Sequence, residues 1–389
     1  MSAAKPLVPS GLAPRVALIR GQYDRSGGAE RFVESAVRAL RAEGASLTIV
    51  ARRWPDNDGT AIVVDPFHVG SLWRDWSFAR AACAELARRR FDLVQSHERI
   101  ACCDVYRAGD GVHAQWLEER ARIQGPLARL ATRASPHHRY VLGAERALFS
   151  SARLKAVICN SEMVRAEIAA RFGTPPDKLT LIRNAVDAAA FHPGLRREMR
   201  AAVRQQLGIP QDAPVVLHVG SGFERKGVAA LLQAVARARG QPWAIVVGRD
   251  KRLARYVGAA RRQGIGERIR FVGAVSDVRP YYAAADVFVL ATLYDPQPNA
   301  ALEAMACALP VVTTPKCGVA ELLVEGESGC VRDALDVDGL AAAIESLEGG
   351  IGLRMGAAAR VAVAPFTPAA MAARYLDLYR RLLQPIMPG

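Results

Sequence analysis

The 389-residue chain has little that would build a disulfide or metal scaffold. Its seven cysteines include no C-x-x-C pair, which argues against a disulfide framework or a zinc site and favours a reducing compartment. No run approaches the roughly 20 apolar residues of a membrane-spanning helix. Segment 1–21 contains only the apolar run 16–19, too short for a signal-peptide core. These absences predict a cytoplasmic protein.

Aromatic residues make up only 6% of the chain, but apolar residues make up 51% and charged residues 23%. This composition allows large packed cores and excludes disorder and collagen. There is no short-period repeat, and the length predicts two to three domains.

Lysine is scarce, with six among 52 cationic residues, yet the formal net charge is +14 and both halves are basic. Such a charge favours an anionic partner, whether nucleic acid, a membrane surface or a phosphorylated substrate. The alternative is that the Arg and Ala content reflects codon bias alone.

Short β-branched runs alternate with longer amphipathic stretches, such as the helix predicted over 31–42. Ten strands are predicted: Arg15–Ile19, Leu47–Ala51, Leu93–Ser96, Ala156–Cys159, Leu179–Ile182, Val215–Val219, Ala244–Val247, Ile269–Val272, Val287–Leu290 and Val311–Thr314. This order predicts an α/β protein with two doubly wound, Rossmann-like parallel-sheet domains. The joint falls within Asn184–Pro214. Ligands bind at the carboxyl ends of such strands, so we expect the site in a cleft between two facing sheets.

Two glycine-containing turns are typical of phosphate sites. Gly27 and Gly28 follow the first strand and precede a predicted helix, where backbone N–H groups can approach an anion. Arg225 and Lys226 follow the first strand of the second half in a loop that lacks the Walker A order, and two adjacent cations there suit a diphosphate. The alternatives are a plain tight turn and a solvated basic turn.

The strongest motif runs from Asp295 to Glu303, seven residues apart, and leads into the strand at 311. Two prolines enforce a turn, and Asn299 is predicted to cap a helix that begins near Ala300. Two carboxylates that bracket a helix N-terminus suit a ligand with hydroxyls at both ends and phosphates between them. A nucleotide sugar has that layout.

Asp295-x7-Glu303 resembles the E-x7-E motif of the retaining glycosyltransferases of the GT-B fold, family 4. The Gly27-Gly28 pair and the Arg-Lys-Gly loop agree, and Asn184-Ala-Val-Asp187 is similar to the family's N-G-V-D. Stretches 219–228, 246–251 and 317–318, with the Ala108-Gly-Asp110 loop, are similar to the lipopolysaccharide core glucosyltransferases within it.

The resemblance implies a role for each matched residue. Arg225 and Lys226 would neutralise the UDP diphosphate as it leaves, Glu303 would hold the ribose hydroxyls, and Asp295 would bind the donor sugar. Further contacts are implied for Gly27, Gly28, Asn299, Ala300 and Ala301 with sugar and phosphate, for Ala274 with the uracil edge, and for Asp110 with the acceptor near the anomeric carbon. Two departures stand out: Asp295 replaces a glutamate, and Ala185 replaces the glycine of N-G-V-D.

No metal or other cofactor is expected. Asp336-Val-Asp338 looks like a metal-binding D-x-D motif, but we interpret it as the cap of a helix over 339–347. His137-His138 and Cys102-Cys103 have no complementary ligand pair nearby in the sequence.

The resemblance implies retention by a same-face mechanism, in which the leaving diphosphate helps to deprotonate the acceptor.

A basic stretch, Gln115–Lys155, carries eight cations against three acids, with aromatic and aliphatic residues among them. Its cations are Arg120, Arg122, Arg129, Arg133, Arg139, Arg146, Arg153 and Lys155. The pattern favours contact with the anionic inner membrane, and the resemblance places a membrane-interacting segment at the same point. The alternative is a solvated helical face.

We therefore expect a retaining transferase that moves a hexose, glucose above others, from a UDP-sugar to a membrane-borne glycolipid such as the lipopolysaccharide inner core. One alternative uses UDP-N-acetylglucosamine or another donor in exopolysaccharide or O-antigen synthesis. A distant one is a nucleic-acid-binding protein, which needs neither carboxylate and for which no recognition motif is present. The predicted domains are 1–185 for the acceptor and 186–365 for the nucleotide sugar. A final helix, Pro368–Leu383 within 366–389, is expected to return to the first domain.

Overall fold

The computed structural model describes residues 14–21, 46–54, 61–347 and 349–383. They form two compact units, one from Met1–Arg183 with Pro368–Gly389 and the other from Asn184–Thr367. Gly27, Gly28 and the helix predicted over 31–42 lie outside the described residues.

The first unit contains a parallel sheet whose described strands follow the order β3-β2-β1-β4-β5-β6-β7. The strands are β1 Arg15–Arg20, β2 Ser46–Ala51, β3 Ala61–Val63, β4 Leu93–Ser96, β5 Val105–Arg107, β6 Ala156–Cys159 and β7 Leu179–Leu181. The order reverses between β1 and β4, and such a reversal opens a crevice at the carboxyl ends of the strands.

The described helices of this part of the chain cover the sheet. They are α1 Gly70–Ala87, α2 His113–Ala121, α3 Pro126–Ala134, α4 Pro136–Phe149 and α5 Glu162–Phe172, with a 3₁₀ turn at Pro176–Lys178. Ser161 caps α5, since its side chain accepts from the Val164 N–H, and Gly173 ends the helix in the left-handed conformation. The basic stretch therefore folds mainly as α2, α3 and α4.

One cysteine expectation was wrong: Cys83 and Cys102 form a disulfide. Cys83 lies on α1 and Cys102 follows β4, and the fold brings the helix and the loop together, a proximity that spacing in the sequence does not reveal. The remaining cysteines are free and buried. Burial raises the pKa of Cys103, Cys159 and Cys317 to about 12, so these thiols stay protonated at neutral pH.

The second unit contains a parallel sheet with the described strand order β10-β9-β8-β11-β12-β13. Its strands are β8 Val215–Val219, β9 Trp243–Val247, β10 Ile269–Gly273, β11 Val287–Val289, β12 Val311–Thr313 and β13 Gly329–Val331. The helices are α6 Leu195–Gln206, α7 Val228–Arg237, α8 Leu253–Arg262, α9 Arg279–Ala284, α10 Asn299–Ala306, α11 Val337–Ser346 and α12 Gly349–Val363, with 3₁₀ turns at Gly266–Arg268 and Ala320–Leu322.

The two doubly wound sheets confirm the predicted fold class. All ten predicted strands are present, each with ends within one residue of the prediction. The strands that the sequence did not predict, β3, β5 and β13, have three residues each, too few for a hydrophobic pattern to stand out. The cap interpretation of Asp336 is also confirmed, because its side chain accepts from the Gly339 N–H at the start of α11.

The last described helix, α13, spans Pro368–Leu383 and belongs to the first unit. The Arg107 Nε donates to the Tyr375 hydroxyl at 3.1 Å, and the Tyr379 hydroxyl donates to Gln95 Oε1. Both tyrosines are 1% exposed, so this helix fills part of the core of the first unit. Among the helices described, none is long and apolar enough to cross a membrane.

Candidate functional site

The loop between β8 and α7 is shaped by close backbone contacts. Gly227 has φ +73°, and a Cβ at this position would lie 1.7 Å from the Ala291 carbonyl oxygen. Gly248, after β9, has φ +136°, and its Cβ would lie 2.2 Å from the Gly220 carbonyl oxygen. Any other residue at either position would displace the loop. The two adjacent cations, Arg225 and Lys226, are held on this rigid support.

Lys226 and Asp295 form an ion pair between Nζ and Oδ2. Their side chains are 21% and 9% exposed, so the pair is largely removed from water. The Asp295 N–H donates to the Lys316 carbonyl at 2.8 Å, and the Asp295 carbonyl accepts from the Gly318 N–H at 2.9 Å. The structure thus brings together two residues that the sequence placed in separate motifs.

Arg225 is held by the segment that leads to Asp295. Its Nε donates to the Tyr294 carbonyl at 2.8 Å, and its guanidinium carbon lies 5.7 Å from the centroid of the Tyr294 ring. The Arg225 carbonyl accepts from the Leu293 N–H at 2.9 Å and from the Thr292 hydroxyl at 2.8 Å. These contacts place both cations at the carboxyl edge of the second sheet.

Glu303 lies on the first turns of α10 and is 6% exposed. The Tyr282 hydroxyl contacts both Glu303 Oε2 at 3.0 Å and the Ala300 carbonyl at 2.9 Å, which orients the carboxylate. Ala301 is buried on the same helix. Glu303 and Asp295 therefore lie at either side of the turn that begins α10, as their spacing predicted.

The predicted capping role of Asn299 was wrong. Helix α10 begins at Asn299 itself, after Pro298, and no side chain caps it. The Asn299 Oδ1 instead accepts from Asn184 Nδ2 at 2.9 Å. Asn184 belongs to the N-A-V-D stretch, so this bond joins two motifs that lie 115 residues apart in the sequence.

His218, near the end of β8, is a buried residue that the sequence did not single out. Its Nδ1 lies 3.2 Å from the Val289 carbonyl, which can only accept, so the neutral ring carries its proton on Nδ1. Burial, reinforced by the Lys226 charge, lowers the pKa of His218 to about 4. The imidazole is thus neutral at pH 7 and lies within electrostatic reach of the Lys226–Asp295 pair.

Two further predicted residues belong to other loops. Ala274 is exposed after β10, next to Gly273, whose carbonyl accepts from the Gly248 N–H at 2.8 Å. Asp110 is exposed in the loop between β5 and α2 of the first unit.

A pocket of about 270 Å³, with Asp110 in its lining, lies at the carboxyl edge of the first sheet. It is lined by four arginines, three carboxylates and Tyr140: Arg20, Arg52, Arg74, Arg99, Asp75, Glu98 and Asp110. Buried Glu145 accepts from Arg99 Nε at 2.9 Å and from the His113 N–H at 2.6 Å. The Arg99 Nη2 also donates to the Gly111 carbonyl at 3.0 Å, so these contacts hold the loop that follows Asp110. These arginines and acids are scattered along the sequence, and only the fold gathers them.

A larger cavity of about 550 Å³ lies at the amino-terminal edge of the second sheet, opposite the carboxyl edge that carries Arg225 and Lys226. Its arginines are structural. The two arginines of its lining, Arg196 and Arg200, bind Asp286, as does fully buried Arg204 outside the lining. Burial opposes ionisation of Asp286, but the Arg200 and Arg204 charges outweigh it and lower the pKa of Asp286. The fold thus gives this cavity no part in the predicted chemistry.

No three His, Cys, Asp or Glu side chains are grouped to hold a metal ion within the described part of the chain. His137 contacts Asp75 at 3.1 Å, and His138 contacts His113 at 3.1 Å. Asp338 of the D-x-D stretch pairs with Arg237 at 2.7 Å.

Comparison with known proteins agrees with this geometry. Residues 213–348 match the family model described as "Glycosyl transferases group 1", and residues 26–190 match "Glycosyltransferase Family 4". The chain is 34% identical to the lipopolysaccharide core biosynthesis glycosyltransferase LpsE of Rhizobium meliloti over 233 residues, which cover 54% of this chain and 68% of LpsE. It is 25% identical to the lipopolysaccharide glucosyltransferase WaaG of Escherichia coli over 323 residues, which cover 81% of this chain and 84% of WaaG.

Solved structures show the same fold. A crystal structure of WaaG superposes with a TM-score of 0.81 at 22% identity, covering 93% of this chain and 99% of that one. The Anabaena protein HepE in complex with UDP and glucose superposes with a TM-score of 0.71 at 19% identity, covering 94% and 99%. The chain belongs to the group 1, or family 4, glycosyltransferases of the GT-B fold.

Proposed function

We propose that this glycosyltransferase transfers a hexose, glucose above others, from a UDP-sugar to a membrane-borne glycolipid of the lipopolysaccharide inner core, with retention of configuration. The observation that carries the proposal is the Lys226–Asp295 pair beside the first turn of α10. Cations, a helix N-terminus and two carboxylates are brought to one edge of one sheet. That combination matches the phosphates and hydroxyls of a nucleotide sugar.

Each residue of this edge has a chemical task in the proposed reaction. Cleavage of the sugar–phosphate bond develops negative charge on the leaving diphosphate, which Lys226 and Arg225 stabilise without reorganisation. The Asp295 carboxylate holds Lys226 and has further lone pairs for hydroxyls of the donor sugar. Glu303, oriented by Tyr282, binds the ribose hydroxyls, and the leaving diphosphate assists deprotonation of the acceptor on the same face.

The names of the relatives support the proposed donor and acceptor. LpsE and WaaG are named for lipopolysaccharide core synthesis, and WaaG is named a glucosyltransferase. HepE was crystallised with UDP and glucose. These names support UDP-glucose as donor and the inner core as acceptor, with Asp110 on the acceptor side. No metal is required in this proposal, because Arg225 and Lys226 supply the positive charge.

Ligand-induced thermal stabilisation tests the donor class. UDP should raise the Tm of the protein, since a ligand that binds only the native state stabilises it. NAD and single-stranded DNA serve as comparisons. Stabilisation by DNA without stabilisation by UDP would favour the nucleic-acid-binding alternative. Stabilisation by UDP-N-acetylglucosamine far above UDP-glucose would favour the alternative donor.

The proposed location is peripheral, on the cytoplasmic face of the inner membrane, through the basic stretch. Helix α3 has no buried residue, and its Leu127 and Leu130 are 83% and 65% exposed. Arginines flank these leucines on the same short helix. Exposed leucines with flanking cations suit the interface of an anionic bilayer.

Vesicle sedimentation tests this location. A triple Arg129/Arg133/Arg139→Glu variant, and separately Leu127→Ser with Leu130→Ser, should sediment less with vesicles of anionic lipid than the wild type. The matched control reverses three exposed charges of α8, Arg255/Arg261/Arg262→Glu, and should sediment like the wild type. Equal sedimentation of all four proteins would contradict membrane contact through α3.

A further inference from the structure

Gln297 is a buried polar residue in the turn that leads into α10. It stands between Pro296 and Pro298 and is 4% exposed. Proline has no backbone N–H, so the two residues beside Gln297 cannot donate hydrogen bonds from the main chain. In this turn the Gln297 side chain therefore adds N–H groups between two positions whose main chain has none.

The orientation of the Gln297 amide is determined by Asn184. The Gln297 Oε1 accepts from the Asn184 backbone N–H at 2.5 Å, a contact that only the oxygen end of the amide can make. Asn184 Nδ2 in turn donates to the Gln297 carbonyl and to Asn299 Oδ1, both at 2.9 Å. Three hydrogen bonds thus fix the turn, and they leave the Nε2 end of the amide for another partner.

The Nε2 of Gln297 has no hydrogen-bond partner among the described residues, although the atom is buried. An unsatisfied buried N–H pair is unfavourable, and native proteins retain such groups where a ligand or another partner satisfies them. Two features beside it favour an anion. The Asn299 and Ala300 N–H groups, the first two of α10, have no intrahelical acceptor, and Lys226 is held by Asp295, two residues before Gln297.

We propose that Gln297 Nε2 donates a hydrogen bond to a diphosphate oxygen of the sugar-nucleotide donor. The inference rests on the proposed function and adds a residue to its site. An amide NH₂ is a donor only, and a phosphate oxygen is an acceptor only, so the two groups are complementary. Gln297 then contributes to donor binding through a side chain at a turn where prolines remove main-chain donors.

Calorimetric binding of UDP and of uridine to the purified full-length protein tests the proposal. Gln297→Glu keeps the oxygen that accepts from Asn184 and loses the NH₂ group, while Gln297→Met loses both. We expect each variant to raise the Kd for UDP by about ten- to a hundredfold, the usual effect of losing a hydrogen bond to a charged group. Uridine has no phosphate and cannot make the proposed hydrogen bond. Its Kd should therefore stay within about twofold of the wild-type value in each variant.

Gln263→Met is the matched control, since Gln263 is a partly buried amide at the end of α8 in the second unit. It should bind UDP like the wild type, and the Tm of each ligand-free variant checks that it is folded. Unchanged UDP binding in folded Gln297→Glu overturns the proposal, as does an equal loss of UDP and uridine binding. A wild type that binds no UDP contradicts the proposed function itself, which separates the two failures.

Discussion

At the scale of single residues, the Lys226–Asp295 ion pair is the centre of the site. Each partner is largely buried, so removing one leaves the other as an uncompensated charge in a region of low dielectric. The sequence predicts each of the two residues as part of a separate motif, and the motifs lie 69 residues apart. It does not predict that the two side chains pair. Their contact depends on the sheet, which places the loop after β8 beside the loop after β11.

Replacement of Lys226 by methionine should lower kcat by about a hundred- to a thousandfold, because the charge that stabilises the leaving diphosphate is lost. The double variant Lys226→Met with Asp295→Asn should regain thermal stability relative to Lys226→Met, since no buried charge is left unpaired, but it should not regain transfer. Steady-state kinetics and thermal unfolding measure the two effects. Lys251→Met, at an exposed lysine of the same unit, is the control. A kcat for Lys226→Met equal to that of the control would contradict the role of Lys226.

His218 makes stability depend on pH. Burial lowers its pKa from 6.5 to about 4, so between these values the unfolded chain binds a proton that the native protein does not. The contribution of neutral His218 to the stability of the native protein is therefore fully present above pH 6.5, and it is lost as the pH falls towards 4. The free energy of unfolding should fall by about 3 kcal/mol across this range from His218 alone. Urea unfolding of the wild type and of His218→Gln at pH 7 and pH 4.5 measures the difference, and parallel losses in the two proteins would contradict it.

At the scale of elements, helices and strands with clear hydrophobic patterns could be predicted, and their contacts could not. Strands β8 and β9 are near-continuous apolar runs, as buried parallel strands require, so their positions follow from sequence. Strand β5 has three residues and no such pattern. Asn299 has the side chain of a good cap, but its bond to Asn184, a tertiary contact, prevails over that local preference.

The Cys83–Cys102 disulfide joins α1 to the loop after β4, which carries three residues of the Asp110 pocket, Glu98, Arg99 and Ile100. A cross-link that closes a loop of this size lowers the entropy of the unfolded chain, which raises its free energy by about 3 kcal/mol at 25 °C. The variant Cys83→Ser should therefore be less stable than the wild type by about that amount in non-reducing buffer. In dithiothreitol the two proteins should unfold at the same urea concentration.

Cys159→Ser provides a control for the loss of a thiol, because Cys159 is buried and free. Dithiothreitol should lower the stability of Cys159→Ser by the same amount as it lowers that of the wild type. If dithiothreitol does not change the stability of the wild type, the disulfide does not form in solution.

At the scale of the whole molecule, the net charge of +14 has several separate uses. Arg225 and Lys226 face the proposed diphosphate, and the arginines of the Asp110 pocket are balanced by carboxylates. Other arginines, such as Arg204, are buried and stabilise the fold by binding main-chain carbonyls and Asp286. The fold class followed from the alternation of strands and helices, whereas the Asp110 pocket did not, because its residues come from six separate stretches of the chain.

The central claim is that the chain transfers a sugar from a UDP-sugar to the lipopolysaccharide core. Its most direct test measures UDP release by the purified protein across a panel of UDP-sugars, with truncated lipopolysaccharide as the acceptor and the Lys226→Met variant beside the wild type. The wild type should release UDP from UDP-glucose only when the acceptor is present, and the variant should be slower by about a hundredfold or more, because fixed cations stabilise the leaving-group charge. Equal UDP release with and without acceptor for every donor, or equal rates in the two proteins, would contradict it.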